Sequence, residues 1–333
     1  MKLRIAIVGC GAIAELGHIP AALRSDKVTL VALVDADLGR AARLAERFGV
    51  SRTETSIESV KSDVDALVIA TPPHIRKTLA FEALSHGLHL LCEKPLANNA
   101  QDAEQIAKRA EEAGRILAMA HTHRFLSNRS YVQNLLQSGE LGRVRRVLIE
   151  QGEPASWPTL SGYTYRRDMV PGGVLLDEGI HPLDMLLWWF GEPEGLSYED
   201  DSVGGLESNV RLGLQFAGGT EANVRLSRTC LLPNLIKLEG ERAEVTIPIY
   251  NEAVVGIKRD GRNTNKKVAK RSRDYVDSVA AQLEDFAECI ETGQRPKATA
   301  EDGLKVVKLI DQCYGARNDR VLPENAPLPG LTW

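Results

Sequence analysis

Three residues of this chain are of the right type to move or hold protons: Lys94, Asp177 and His181. Lys94 comes after the apolar run His89-Leu90-Leu91-Cys92 and Glu93, and Pro95 follows it. Ligands of open α/β sheets bind beyond the carboxyl ends of the strands, so Lys94 is expected beside one. A lysine at a pocket loses solvation, and the expectation is a lowered pKa suited to proton transfer. Asp177 and His181 lie in Gly172-Gly173-Val174-Leu175-Leu176-Asp177-Glu178-Gly179-Ile180-His181-Pro182-Leu183-Asp184. On a regular helix Asp177, His181 and Asp184 share one face. Apolar neighbours from Leu175 to Trp188 predict partial burial and shifted pKa values for the acid and the imidazole. The same spacings also suit a surface lysine held by a proline turn, and a polar stripe or cap around Pro182.

A dinucleotide site is legible at the N-terminus. Gly9-Cys10-Gly11-Ala12-Ile13-Ala14 follows the apolar run Leu3 to Val8 and opens a helical pattern. Gly9 permits the tight turn, Gly11 lets the backbone approach a pyrophosphate, and Ala14 takes the third small-residue position. Unpaired N–H groups of this turn, with Cys10, Ala12 and Ile13 in it, lie at the positive end of a helix dipole. Asp35 ends the run Val28 to Val34, where a ribose-binding carboxylate belongs. Its charge favours NAD over NADP, and Arg40 is the nearest compensating cation. Thr71-Pro72-Pro73-His74 ends the run Ala66 to Ala70 and borders the cofactor by the same strand-end rule, although His74 also suits a helix start.

Trp157, Tyr163, Tyr165, Arg166 and Arg167 precede the Asp177–His181 segment. Aromatic faces and guanidinium groups grip hydroxylated or anionic ligands, and a solvated loop has the same composition. A neutral polyol and an anionic sugar both remain open as substrates. The basic run Lys258 to Arg273 reads as a solvated connection, since no aromatic platform accompanies it.

The elements that must position these residues fall into two parts. Apolar runs at 3–8, 28–34, 65–70, 88–92 and 116–120 alternate with helical patterns, which predicts a doubly wound parallel sheet. The alternation stops near His121-Thr122-His123-Arg124-Phe125, giving an NAD-binding domain at 1–122 and an α+β domain at 123–333. In the second domain, turns at Gly218-Gly219 and Gly240-Glu241 predict an open, mostly antiparallel sheet. Such a sheet has a face free for a partner subunit, so a homodimer or homotetramer is expected. Two helices, about 274–292 and 300–315, close the described pattern, with Gly293 as a C-cap.

A net charge of −4 over 333 residues points to neither nucleic acid nor membrane. The five scattered cysteines show no metal-ligand spacing, and a reducing cytoplasmic compartment is expected. The chain opens on a core strand rather than a signal peptide, and no apolar run reaches the length of a membrane span.

The ordered set of motifs resembles the glucose-fructose oxidoreductase / inositol dehydrogenase / rhizopine-catabolism (Gfo/Idh/MocA) family. It comprises the glycine turn, Ala70-Thr71-Pro72-Pro73, Glu93-Lys94-Pro95, Arg124-Phe125, Gly172-Gly173 with Asp177, His181 and Asp184, then Gly293-Gln294-Arg295-Pro296 and Gly303. The resemblance implies hydride transfer between NAD and a secondary alcohol or ketone of a sugar, cyclitol or related small molecule. It makes Lys94 the lysine near nicotinamide and substrate, Glu93 a cofactor-side acid, and places Arg124 on the cofactor side. Asp177 and His181 become the substrate-binding acid and the acid/base histidine, and the Lys94–Pro95 peptide is expected to be cis. Relatives that use NAD transiently to cleave glycosides, and non-catalytic regulatory relatives, are the alternatives. Many members have a histidine at the position of Arg76 and an asparagine at that of Thr122.

Overall fold

Short β-branched and aliphatic runs with little polar interruption form buried parallel strands, and the first third of the chain uses five of them. In the computed structural model, which describes residues 2–154, 162–202, 205–268 and 274–317, these are β1 (Leu3–Val8), β2 (Val28–Val34), β4 (Ala66–Ile69), β5 (His89–Cys92) and β6 (Leu117–Met119). A two-residue strand, β3 (Thr53–Glu54), joins the edge, and the order is β3-β2-β1-β4-β5-β6, all parallel. The order reverses between β1 and β4, the crevice where doubly wound sheets bind dinucleotides.

The connecting helices have legible ends. The first, α1 (Ile19–Arg24), continues a wide π-helical turn at Ala14–His18. Asp37 caps α2 (Leu38–Phe48) through the Arg40 N–H, and Gly49 ends it at φ 72°. Two further helices, α3 (Pro73–Ser85) and α4 (Ala100–Glu112), complete the βα units, and the Asn99 side chain caps α4.

After α5 (Ser127–Gln137) comes β7 (Val144–Gly152), the centre of an eight-stranded sheet. A second wide turn, Leu175–Gly179, leads into α6 (Ile180–Phe190). Pro182 lies early in α6, where its missing N–H falls next to the change from wide to regular helix. The sheet continues as β8 (Pro193–Asp200), β9 (Asn209–Phe216), β10 (Thr220–Ser227), β11 (Leu235–Gly240), β12 (Glu244–Pro248), β13 (Val254–Arg259) and β14 (Arg262–Lys267). Its order is β14-β13-β12-β11-β7-β10-β9-β8, with β7–β10 the parallel pair and the others antiparallel. The basic run beginning at Lys258 is thus not all connection. Through Lys267 it forms the outer hairpin, whose last strand is exposed along its whole length.

Helices α5 and α6, together with α8 (Ala300–Gly315), cover one face of this sheet, burying Val132, Leu183, Trp189 and Leu309 against Ile149, Leu214, Val224 and Ile247. The opposite face carries Arg146, Gln215, Glu221, Lys237 and Glu239. Helix α7 (Tyr275–Thr292), ended by Gly293 at φ 72°, returns to the first sheet: Leu283, Phe286 and Ala287 join the core of Ile5, Ile7 and Leu33. The expected division at 122/123 is sequential, whereas the packing is not. Among the described residues no helix is long and apolar enough to cross a membrane.

Candidate active site

The glycine turn is shaped by close backbone approach. Gly9 sits at φ 99°, and a Cβ there would lie 2.8 Å from the Ala70 carbonyl oxygen. Gly11 has nothing within 4 Å of a Cβ position, which leaves open the space a pyrophosphate needs. The chain turns helical at once, with the Glu15 N–H bonded to the Gly11 carbonyl at 3.1 Å. Ala12 and Ile13 are therefore in the first helical turn, where N–H groups lack intrahelical partners. Asp35, buried at the end of β2, accepts from the Cys10 N–H at 2.8 Å and from the Asp37 N–H at 2.9 Å. A carboxylate has lone pairs beyond these two bonds, so a ribose diol can still donate to it. Arg40 lies 3.4 Å from Asp35 and 3.5 Å from Asp37, so its charge is already opposed by two acids. The Cys10 thiol is pushed up to about 12 by burial and by Asp35, and is inert.

Glu93-Lys94-Pro95 is held between the two wide turns. From the first, His18 donates Nε2–H to Glu93 Oε1 at 2.8 Å. Burial opposes ionisation of Glu93, yet His18, Lys94 and Arg76 hold its carboxyl below the usual range. From the second, Asp177 receives two bonds from Lys94 Nζ, at 2.6 Å on its carbonyl and 3.1 Å on Oδ1. The Lys94–Pro95 peptide is cis. Burial alone would lower the Lys94 ammonium, but Asp177, Tyr163 and Glu93 together hold it above its ordinary value. The expectation of a lowered lysine pKa is corrected: Lys94 is a fixed cation. An ammonium has three donors, and Asp177 takes two.

His181 follows on α6. Its imidazolium is pushed well down, first by burial and then by His123, Lys94, His121 and Arg129. His123 stacks on it, ring centroids 4.3 Å apart at 20°, and burial drives His123 down to about 3. Both rings are therefore neutral at neutral pH. Tyr163 is within electrostatic reach of Lys94 and Asp177, and burial raises its phenol. Around the predicted residues the fold thus gathers one cation, one acid, two stacked neutral imidazoles and a phenol.

Other predicted residues are placed differently. Asp184 is fully buried and bound by Arg124, whereas Asp177 is bound by Lys94. Arg124 gives Asp184 a two-nitrogen grip at 2.6–3.1 Å, reaches Asp302 at 3.2 Å and donates to the Lys297 carbonyl at 2.8 Å. Its guanidinium faces protein partners between α6 and α8. Thr71 is buried beside Gly9, with Oγ1 unbonded, and Pro72 precedes α3. His74 is exposed in the first turn of α3. Arg166 is exposed and pairs with Asp168 at 2.6 Å. Tyr165 is 54% exposed with Arg228 over its ring, Arg167 is exposed, and Trp157 lies outside the described residues.

Two supports were not read from the sequence. Arg76 is fully buried and donates to the carbonyls of Thr71 and Pro95, tying together the two strand-end loops that border the site. The departure from histidine at that position was the available signal. Glu207, also fully buried, accepts from the Leu175 N–H at 3.1 Å and from Tyr314 Oη at 2.8 Å, capping the turn that carries Asp177. Gly172 and Gly173 exist for this contact: Cβ atoms there would lie 1.7 Å from Tyr314 Oη and 2.0 Å from the Glu207 carbonyl oxygen. Among the described residues no group of His, Cys, Asp or Glu is arranged to hold a metal ion.

Residues 3–121 match the Gfo/Idh/MocA model described as an oxidoreductase family with an NAD-binding Rossmann fold, and residues 130–246 match the family's C-terminal domain. The chain is 27% identical to inositol 2-dehydrogenase of Rhizobium meliloti over 93% of its length and 96% of the relative's. It is 27% identical to 1,5-anhydro-D-fructose reductase of Ensifer adhaerens, over 90% and 92%. The crystal structure of aldose-aldose oxidoreductase from Caulobacter crescentus, complexed with glycerol, superposes with a TM-score of 0.87 at 26% identity, covering 95% of this chain and 97% of that one. The glycine turn, the acid at the end of β2 and the two-domain match together identify the chain as a member of the Gfo/Idh/MocA oxidoreductase family, with an NAD-binding Rossmann domain.

Proposed function

We propose that the protein transfers a hydride between NAD and a secondary alcohol or ketone of a polyhydroxylated small molecule, a sugar or cyclitol. The observation that carries this reading is the Lys94 ammonium held on the Asp177 carboxylate and carbonyl, in a loop whose other acid, Glu93, is bound to the dinucleotide-side helix through His18. Relatives named for inositol, anhydrofructose and aldose chemistry support the substrate class.

NAD, when bound, would supply the hydride acceptor; Gly9, Cys10, Gly11, Ala12 and Ile13 would hold its pyrophosphate, Asp35 its ribose, and Thr71, Pro72 and Glu93 would border it. In the oxidative direction neutral His181 accepts the hydroxyl proton. The remaining N–H of Lys94 bonds the substrate oxygen and stabilises its developing negative charge. Asp177 orients Lys94 and a substrate hydroxyl. In reduction His181 returns the proton and Lys94 polarises the carbonyl. Tyr163 lies beside this group as a further substrate contact. NAD is preferred over NADP, because a 2′-phosphate would meet Asp35 with Arg40 already opposed by Asp35 and Asp37. Dissociation constants for the two cofactors test this, and tighter NADP binding contradicts it. The polar outer face of the second sheet is proposed to pair subunits into a homodimer or homotetramer, which light scattering would read as twice or four times the chain mass.

A further inference from the structure

Four arginines are buried among the described residues, and in three of them both Nη groups have hydrogen-bond partners, with Nε of Arg76 and of Arg129 left unpaired. Arg124 binds Asp184, while Arg76 and Arg129 are held by backbone carbonyls. Arg228, just past the end of β10, is 8% exposed, and its Nε and Nη2 have no hydrogen-bond partner. Taking a guanidinium out of water without a partner is costly, so such a group is normally paired. The Tyr165 ring lies against Arg228, with the guanidinium carbon 5.6 Å from the ring centroid. Its charge reaches Glu178, the neighbour of Asp177, yet no hydrogen bond joins Arg228 to that carboxyl. Burial, and then Asp177, raise the Glu178 carboxyl, while Arg228 acts to lower it.

We propose that Arg228 is a substrate-specificity residue that binds a carboxylate, making the preferred substrate a sugar acid rather than a neutral sugar. The assignment rests on the oxidoreductase reading for the position of the substrate beside Asp177 and Lys94. A planar guanidinium with two free donors matches a carboxylate in fork geometry. One cation matches one negative charge. A phosphate dianion calls for a second cation, and Lys94 is already on Asp177. This moves anion recognition from Arg166, which pairs with Asp168, to a buried residue from the second sheet.

The test uses the full-length protein loaded with NAD. Calorimetric titrations compare D-gluconate, D-galactonate and D-glucuronate with D-glucose, D-galactose, D-glucitol and D-glucose 6-phosphate. At least one acid is expected to bind about thirtyfold or more tightly than its neutral counterpart, the scale of a desolvated charge pair. Arg228→Gln should erase that preference, and Arg228→Lys should retain part of it. NAD affinity and melting temperature of the variants report an intact fold. Absence of any acid preference, a stronger preference for the phosphate, or a preference that survives Arg228→Gln overturns the proposal. Failure of the oxidoreductase reading shows separately, as acid binding without NAD reduction.

Discussion

At the scale of single residues, the proposed mechanism divides the work between a charged donor and a neutral acceptor. Lys94 stays protonated because the surrounding acids outweigh its burial, so it acts as a hydrogen-bonding cation. Lys94→Ala should lower turnover by about 10²–10⁴-fold, the range for a positioned acid–base group, while NAD affinity changes little. Steady-state rates and a cofactor titration on the same sample check both halves. His181 must be neutral to accept a proton, and burial with His123 and Lys94 pushes its imidazolium below the ordinary value. The acid limb of kcat/KM for oxidation should therefore lie below the ordinary histidine pKa of about 6.5. A limb above that value would show that His181 is not the base. Much of this constellation was legible: Lys94, Asp177 and His181 stand out by type and by neighbours. His123 was not, because no periodicity marks a residue in a short 3₁₀ turn, and its stack on His181 joins residues far apart in the chain. Nor does composition show that Arg166 pairs with the neighbouring Asp168.

At the scale of elements, two wide helical turns give the site its shape. One presents His18 to Glu93 and the other presents Asp177 to Lys94, so a single loop is gripped from both domains. Wide turns are often found at functional sites, and their apolar pattern is that of any helix, so the sequence does not mark them. The start of the second turn depends on Gly173. An alanine Cβ 2.0 Å from the Glu207 carbonyl forces the backbone apart and breaks the Glu207 cap on Leu175. Gly173→Ala should cost about 1–3 kcal/mol of stability and lower kcat more than NAD affinity. Urea unfolding and kinetics together test this, and an unchanged variant would show that Glu207 does not hold the turn. The long parallel strands were readable from their apolar runs. Strand β14 was not, because its residues are exposed throughout and carry no burial pattern.

At the scale of the whole molecule, the two sheets are joined by more than the chain between them. Helix α7 completes the first core, and the Arg124–Asp184–Asp302 cluster ties the Phe125 segment to α6 and α8. Sequence order gave no sign of this return, since α7 reads as an ordinary amphipathic helix. The buried histidines set the acid stability of the molecule. His89, His121, His123 and His181 all have folded-state pKa values below the unfolded value of about 6.5. As pH falls, the unfolded chain binds protons that the folded chain refuses, so stability falls with it. The contribution is complete above about pH 6.5 and is lost progressively below it, extending to about 3 for His123. Melting temperature should decline steadily from pH 7 to pH 5, and a flat profile would contradict these burial assignments.

The central claim is hydride transfer from a sugar or cyclitol carbon to NAD with Lys94 and His181 at the reacting oxygen. The most direct measurement incubates the enzyme with NAD and carbinol-deuterated sugars, sugar acids and inositol, and follows deuterium into the nicotinamide ring by mass spectrometry. The account predicts one deuterium in the reduced cofactor for at least one substrate, and its loss in Lys94→Ala and His181→Ala proteins that still bind NAD. NAD binding without label transfer from any of these substrates, or transfer at wild-type rates in both variants, would contradict it.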